Sequence, residues 1–251
     1  MNREATDLAG VRHIAFETLG STNAEALALA RAGERGPLWI TATIQSAGRG
    51  RRGSQWVSLP GNLHATLLLS EPSRPAQAPQ LSFVAALALY DAVTLCAPQL
   101  RPLLYVKWPN DLLVERAKVA GILVEGESGP VFAVAIGIGV NCAVHPDDAG
   151  YPATDLAATG ALVVPDALFT ALSASMAQRL AQWDRGQGFA AIRADWLKHA
   201  AGLGEPLQVR LPGRELSGRF DGLDQNGHLL LKQDSGMATI TAGEVFGFGE
   251  P

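Results

Sequence analysis

Cysteine is nearly absent from this 251-residue chain, which carries only Cys96 and Cys142. A disulfide scaffold or a zinc site needs more ligands at tighter spacing, so both cysteines are predicted to be buried free thiols. Charged residues are also sparse at 18%, against 47% hydrophobic residues. This composition excludes a disordered chain and favours one or two globular domains with a full core.

The chain also lacks the usual signals for a membrane or for nucleic acid. Residues 1–10, MNREATDLAG, contain no cationic stretch leading into an apolar one, so no signal peptide is expected. The most apolar segment, 81–97, is interrupted by Asp91 and is shorter than the roughly 20 residues of a membrane span. A net charge of −4 means that any nucleic-acid role would have to rest on a local patch. We therefore predict a cytoplasmic protein with no membrane partner.

Helical and strand-like segments alternate over the first 200 residues. Thr22 and Glu25 have capping-box spacing at the start of the first helical segment, and Pro165 suits the first turn of a later one. Apolar runs of strand length occur at 11–17, 38–45, 62–70, 103–108, 111–115, 118–125 and 131–141. Helices are predicted at 19–33, 80–97, 165–183 and 189–200.

The sequence pattern changes at residues 201–206. After this point short alternating strands are separated by Pro-Gly, Asn-Gly and Ser-Gly turns, which is typical of a small β-barrel. We predict a larger α/β (α+β) domain over residues 1–202 and a barrel over 203–251. The barrel is too small to be expected to fold stably alone.

An unusual loop, SAGRGRRGSQW, occupies residues 46–56. Residues 48–53 match G-x-G-x-x-G, but a strand rather than a helix is predicted to follow, so the dinucleotide mechanism fails on context. No Walker A motif occurs, and nucleic-acid segments of the RGG type usually come as repeats. The bland alternative is a solvated turn. Glycines that permit close approach, together with fork-shaped guanidiniums, favour an anion-binding loop.

A second unusual stretch is KWPNDLLV at residues 107–114. Pro109 interrupts an apolar run and leaves Asn110 and Asp111 at a corner between two strands, which by itself is an ordinary turn. Lys118 follows at the head of another apolar strand, where it could simply extend its ammonium group into solvent. If it faces an interior cleft, it must meet an anion, because an unpaired buried charge is costly. The loop arginines and Lys118 would then form two cationic walls of one pocket.

Five motifs in one order carry a family resemblance, with a sixth segment, GEV at 243–245, near the C-terminus. They are STN (21–23), QSAGRGRRGSQW (45–56), KWPND (107–111), KVAGILVE (118–125) and GIGVN (137–141). In this order the chain closely resembles the biotin protein ligases, also called biotin–[acetyl-CoA-carboxylase] ligases. The resemblance implies a mixed β-sheet catalytic domain like that of class II synthetases, followed by an SH3-like barrel.

The activity implied by the resemblance is a two-step ligation that uses ATP, biotin and Mg²⁺. Biotin is first joined to AMP as biotinyl-5'-AMP and is then passed to one lysine of a biotin carboxyl carrier protein. No specific DNA partner is expected, because STN begins at residue 21 and leaves no room for the N-terminal DNA-binding domain of some family members. The oligomeric state, including a homodimer, stays open, and so do the metal ligands.

The resemblance also implies roles for individual residues. Lys118, Arg51 and Asp111 match catalytic positions. Positions that bind biotin are matched by Ser21, Thr22, Asn23, Gln45, Arg49, Gly50, Arg51, Lys118 and Gly121. Positions on the nucleotide side are matched by Asn110, Asn141 and Trp56. Arg52 stands beside the loop residues Arg49, Gly50 and Arg51, where it would serve the phosphates.

Two alternatives remain at this stage. A lipoate or octanoate ligase would share the fold and a catalytic lysine, but such ligases lack the GRGRRG loop. A non-catalytic binding module on the same scaffold would not need Lys118 together with Arg51 and Asp111.

Overall fold

A computed structural model describes residues 3–8 and 10–246 of the chain. Its larger part is built on an eight-stranded sheet with the strand order β1-β2-β3-β4-β8-β7-β6-β5. β2 and β3 run parallel, and the remaining neighbours are antiparallel. The strands are β1 (Arg3–Leu8), β2 (Val11–Leu19), β3 (Leu38–Gln45), β4 (Leu63–Ser70), β5 (Leu104–Lys107), β6 (Asp111–Val114), β7 (Ala117–Glu127) and β8 (Ala133–Val140).

The helices of the larger part are α1 (Thr22–Arg31), α2 (Leu81–Cys96), α3 (Pro165–Trp183) and α4 (Phe189–Lys198). Short 3-10 turns lie at Arg51–Gly53, Pro75–Gln80, Pro98–Leu103 and Asp184–Gly186. The predicted mixed α/β architecture is confirmed, and predicted element ends agree with the observed ones to within about two residues in most cases. Strand β1 was not predicted.

The central strands divide their side chains between two different environments. On β8, Val134, Ile136, Ile138 and Val140 belong to the main core beside α2, α3 and α4. The alternate positions carry small residues, first alanine against α1 and then Gly137 and Gly139. The run AVAIGIGV therefore packs helices on one face and leaves a recess on the other, because strand side chains alternate.

Helix α2 is the central helix of the main core. With the preceding turn it forms an apolar stretch, Pro75–Cys96, long enough to cross a membrane, but 61% of that window is buried inside the fold, as in a core helix. The interrupting charge is paired, since Arg179 Nε of α3 donates to Asp91 Oδ2 at 2.7 Å. Asp91 therefore joins two packed helices.

The start of α1 corrects one prediction. Ser21, not Thr22, is the N-cap, and its Oγ accepts from Ala24 N at 3.5 Å. Thr22 is the first helical residue, and its hydroxyl lies 3.0 Å from Gln45 Oε1 instead. The capping-box spacing assigned the hydroxyl of Thr22 to the start of α1, but Gln45, which is distant in sequence, binds that hydroxyl instead.

The C-terminal region forms a separate five-stranded antiparallel sheet in the order β12-β11-β10-β9-β13. Its strands are β9 (Pro206–Leu211), β10 (Arg214–Leu223), β11 (Leu229–Gln233), β12 (Gly236–Ile240) and β13 (Glu244–Phe246). The predicted all-β unit is confirmed, and residues 247–251 of it lie outside the described residues. Trp108 Nε1 donates to Gly227 O at 3.0 Å, so the unit is joined to the larger sheet.

Both cysteines carry free thiols, but they differ in burial. Cys142 is buried as predicted, and desolvation raises the pKa of its thiol to about 12. Cys96 is only half-buried, and burial raises its pKa as well. Because the thiolate is the reactive form, neither residue is suited to nucleophilic chemistry near neutral pH.

Candidate active site

A cavity of about 710 Å³ opens on the recessed face of the large sheet, between the GRGRRG loop and the C-terminal sheet. Strands β7 and β8 contribute its floor through Gly121, Gly137 and Gly139. Every site residue predicted from the sequence lines this cavity: Ser21, Thr22, Asn23, Gln45, Arg49, Gly50, Arg51, Arg52, Trp56, Asn110, Asp111, Lys118, Gly121 and Asn141. Five separate motifs are therefore brought to one place.

The GRGRRG loop folds back on itself above the cavity. Trp56 N donates to Gly48 O at 3.0 Å, and Gly50 N donates to Ser54 O at 2.7 Å. A methyl group at Gly48 would lie 2.5 Å from Trp56 O, so this closure requires glycine. The loop itself contains a 3-10 turn, Arg51–Gly53, in which Arg52 has φ 55°, and the next element is strand β4. The absence of a helix after the loop, expected from the sequence, is confirmed.

A β-bulge places Lys118 on the cavity side of β7. The register between β6 and β7 shifts between Leu112 and Leu113, so that Val119 and Ala120 both enter the core. Strict alternation would put Lys118 and Gly121 on opposite faces, whereas the extra residue brings both to the cavity. Lys118 therefore faces the interior cleft and does not extend into solvent, which were the two interpretations that the sequence left open.

Lys118 is surrounded by one carboxylate and two aromatic rings. Its Nζ lies 2.7 Å from Asp111 Oδ1, and both side chains are largely buried. The same Nζ lies 5.6 Å from the ring centre of Trp56 and 5.1 Å from that of Tyr151. Lys107 Nζ is 4.0 Å from Asp111 Oδ2 on the other side. Asp111 therefore lies within ion-pair distance of both ammonium groups.

Arg51 connects the loop to two other elements. Its NH1 donates to Asn110 Oδ1 at 3.2 Å and to Gly243 O of the C-terminal unit at 3.4 Å. Burial lowers the pKa of Arg51, and Arg52 acts in the same direction, while Asp111 opposes them. Burial likewise lowers the pKa of Lys107. In both cases burial is the largest cause, because it disfavours the charged form.

A buried polar network forms the opposite end of the cavity. Gln45 Oε1 accepts from Thr22 N at 2.8 Å, and Gln45 Nε2 donates to Ser58 Oγ at 2.8 Å. Thr66 Oγ1 lies 2.7 Å from both Thr22 Oγ1 and Asn23 Oδ1. The amide and hydroxyl groups therefore hold one another in fixed orientations, and such preorganisation lowers the entropic cost of binding.

The floor glycines allow side chains to lie directly on the strand backbone. A methyl group at Gly137 would lie 2.9 Å from Asn23 Cγ and nearer still to its Oδ1. Methyl groups at Gly121 and Gly139 would meet the indole of Trp56. Any larger residue at these positions would raise the floor into the cavity.

Several residues that shape the site were not predicted from the sequence. Lys107 is the first residue of the KWPND motif, and its charge beside Asn110 and Asp111 is a sequence signal for a place in the site. Thr66 and Glu125 lie at alternate positions of strands whose other side chains enter the core, which is a weaker signal. Glu244 lies within the GEV segment at 243–245, whereas Tyr151, Ser58 and Arg210 carry no local signal.

The charges that line the cavity favour anions. The cations are Arg49, Arg51, Arg52, Lys107, Lys118 and Arg210, against the carboxylates Asp111, Asp148 and Glu244. This cationic excess contrasts with the net charge of −4 of the whole chain. A cleft lined by one sign of charge raises the local concentration of ligands of the opposite sign.

The fold and the site define a class of protein ligase. Residues 17–141 match the model of the biotin/lipoate A/B protein ligase family, and residues 202–246 match that of the biotin protein ligase C terminal domain. A biotin protein ligase from Aquifex aeolicus in complex with biotin and ATP has a similar fold, with a TM-score of 0.79 at 24% identity. The superposition covers 93% of this chain and 97% of that one.

Proteins with similar sequences identify the family within this class of ligases. The chain is 48% identical to the biotin–[acetyl-CoA-carboxylase] ligase of Paracoccus denitrificans over 90% of this chain and 96% of the relative. It is 30% identical to the bifunctional ligase/repressor BirA of Bacillus subtilis over 96% of this chain and 75% of that protein. The chain belongs to the biotin protein ligase family.

Proposed function

We propose that this chain is an ATP-dependent, AMP-forming ligase that makes biotinyl-5'-AMP and transfers biotin to a lysine of a biotin carboxyl carrier protein. The observation that carries the proposal is the convergence of Arg51 and Lys118, from two distant motifs, on one cavity with a fixed polar end. The 48% identity to a biotin–[acetyl-CoA-carboxylase] ligase favours biotin over lipoate or octanoate.

In the first step a carboxylate oxygen of biotin attacks the α-phosphorus of ATP. The bond from that phosphorus to the bridging oxygen breaks, and pyrophosphate leaves with the electron pair. Both reactants are anions, and the phosphorus gains negative charge during the attack. Lys118 and Arg51 are the fixed cations proposed to stabilise that charge, and one such donor is worth about 3 kcal/mol. Holding the two reactants together supplies much of the remaining rate enhancement.

We place biotin at the polar end of the cavity. Ser21, Thr22, Asn23 and Gln45 are proposed to hold the ureido ring, with the carboxylate pointing towards Lys118. Gly121 would let the bicyclic ring lie on the strand backbone. Arg49 and Gly50 are proposed to close over the ligand as part of the loop. This arrangement uses the apolar floor for affinity and the fixed amides for specificity.

We place the nucleotide at the end that the C-terminal unit borders. Trp56, Asn110 and Asn141 are the proposed adenosine contacts, and Arg52 is the proposed phosphate contact. Lys107 and Arg210 add charge there, because both lie near Phe246, at 6.0 Å for Lys107 Nζ and 4.3 Å for Arg210 Cζ from the ring centre. The C-terminal unit thus contributes side chains to the proposed site.

Mg²⁺ is proposed to enter with ATP. The described residues contain no preformed cluster of three metal-ligating side chains. This fits Mg²⁺, which usually binds through one or two carboxylates together with substrate phosphates. Asp111, Asp148 and Glu244 are the available oxygen ligands along the cavity. When bound, the ion would neutralise phosphate charge.

In the second step the ε-amine of the acceptor lysine attacks the carbonyl carbon of the mixed anhydride. The bond from that carbon to the AMP oxygen breaks, AMP leaves, and the amine loses a proton. Asp111 is proposed to stand near this amine.

We also propose a cytoplasmic location and a division of the chain between residues 202 and 203, close to where the C-terminal family model begins at residue 202.

The direct test is incubation of the purified chain with ATP, Mg²⁺ and a biotin carboxyl carrier domain. Either biotin or lipoate is supplied, and the mass of the acceptor is measured. We expect the acceptor to gain one biotinyl group with biotin and nothing with lipoate. A gain with lipoate alone would restore the alternative ligase, and no gain with either would contradict the proposal.

Arg51→Gly should loosen retention of the adenylate. The substitution removes the contacts from the loop to Asn110 and to Gly243 O, and it adds backbone freedom where the loop must close. Released biotinyl-5'-AMP would label lysines of bystander proteins. Labelling of serum albumin is the measurement, with Arg219→Gly, a change to an exposed arginine of the C-terminal unit, as the control. Equal labelling by the wild-type chain would refute the proposed closing role.

A further inference from the structure

Glu125 lies directly behind the cavity, at the end of the KVAGILVE motif. It is on β7, and its neighbour two residues earlier, Leu123, lines the cavity, whereas Glu125 itself does not. Its side chain is 28% exposed. The residue belongs to none of the proposed biotin, nucleotide or catalytic sets.

The carboxylate of Glu125 joins two residues of the proposed site. Its Oε2 accepts from Asn23 Nδ2 at 2.8 Å and from Arg49 NH2 at 3.0 Å. Asn23 is buried at the polar end of the cavity, and Arg49 belongs to the GRGRRG loop. One oxygen atom of Glu125 therefore connects the polar end of the cavity, through Asn23, to the GRGRRG loop, through Arg49.

Two further contacts link the same polar network to the loop. Gln45 stands immediately before the loop and Ser58 shortly after it, and their side chains are joined at 2.8 Å. Thr22 binds Gln45, and Thr66 lies within hydrogen-bonding distance of both Thr22 and Asn23. The polar end of the cavity thus reaches the loop at its beginning, at its end and, through Glu125, at its first arginine.

We propose that Glu125 is a positioning residue that couples occupancy of the biotin pocket to closure of the GRGRRG loop. A ligand that fixes Asn23 also fixes the carboxylate that Asn23 binds, and a fixed carboxylate holds Arg49 better than a mobile one. The linkage is reciprocal, so a closed loop raises affinity for biotin by the same factor. The inference rests on the proposed function, because it takes biotin as the ligand.

The test uses the loop itself as the reporter. Arg49, Arg51 and Arg52 are sites for trypsin, and the quantity of interest is the ratio of loop cleavage rates without and with saturating biotin. Biotin affinity is measured in parallel by calorimetry. A residue with a purely structural role would change thermal stability or the basal cleavage rate, but not this ratio.

Two variants separate the two contacts. Glu125→Gln keeps an oxygen that accepts from Asn23 but loses the charge that attracts Arg49. We expect a protection ratio about three-fold lower than that of the wild-type chain and, because the linkage is reciprocal, a biotin affinity lower by about the same factor. Glu125→Ala loses both contacts and should lower the affinity by a larger factor than the ratio, because Asn23 also loses an acceptor.

Glu127→Gln is the matched control. Glu127 is two residues further along the same strand, and its Oε2 accepts from Arg31 NH1 at 2.6 Å. The side chains of Arg31 and Glu127 are 58% and 32% exposed, similar to the 46% and 28% of Arg49 and Glu125. Neither Arg31 nor Glu127 belongs to the loop. The control should leave both the protection ratio and the affinity unchanged.

The outcomes distinguish the coupling from the function on which it rests. A wild-type chain that does not bind biotin would overturn the proposed function, and the coupling with it. If the wild-type chain binds biotin without any loop protection, the coupling alone is wrong. It is equally wrong if both Glu125 variants protect the loop as well as Glu127→Gln does.

Discussion

Lys118→Ala is expected to lower biotin-dependent exchange of pyrophosphate into ATP by about a hundred-fold or more. The ammonium group lies in a largely buried position, 2.7 Å from Asp111, on the strand that the β6–β7 bulge turns towards the cavity. It is the cation proposed to lie between the biotin carboxylate and the α-phosphate. Its removal leaves two anions to approach each other without that charge.

Lys198→Ala controls for the loss of an ion-paired lysine. Lys198 Nζ lies 2.7 Å from Asp195 Oδ1 on α4 and is exposed. We expect full exchange activity from this control. Both variants should keep the circular dichroism of the wild-type chain. Wild-type exchange activity in a folded Lys118→Ala protein would remove Lys118 from the mechanism.

Gly137→Ala is expected to weaken biotin binding by about ten- to a hundred-fold. The added methyl group would collide with the carboxamide of Asn23. That carboxamide cannot move cheaply, because it is held by Thr66, by Leu123 O and by Glu125. Displacing it would break two or three hydrogen bonds of the buried Asn23 side chain, each worth about 0.5–1.5 kcal/mol.

Gly129→Ala is the control for a change of glycine to alanine in the segment between β7 and β8. The nearest atom to its added methyl group is Val131 O at 3.8 Å, an ordinary contact. Titration calorimetry with biotin is the measurement for both variants. If Gly137→Ala binds biotin as tightly as Gly129→Ala, the ligand does not use Asn23 or the floor beneath it.

Most of the fold follows from local sequence patterns. Period-two alternation and helical runs locate the central elements, because burial on one face dictates the side chain at every second or third to fourth position. The cap of α1 shows the limit of such reasoning. Ser21 and Thr22 are both suitable capping residues, and the distant Gln45 and Thr66 take the hydroxyl of Thr22, which leaves Ser21 as the cap.

The site was predictable as far as the motifs extend and no further. Lys118 and Gly121 are both in KVAGILVE, but only a bulge opposite Leu112 and Leu113 puts them on one face. Glu244 and Arg210 come from the C-terminal unit, more than 90 residues after Lys118, so no spacing rule connects them to the cavity. Tertiary contacts of this kind arise from the packing of the two units. The roles proposed for these side chains remain predictions.

The indole of Trp56 has a consequence for the speed of ligand binding. It lies on the glycine floor at Gly121 and Gly139, and its buried Nε1 has no hydrogen-bond partner among the described residues. A biotin ring that uses this floor must first displace the indole. Capture would then be limited by a protein motion rather than by diffusion, and the association rate would level off as the ligand concentration rises.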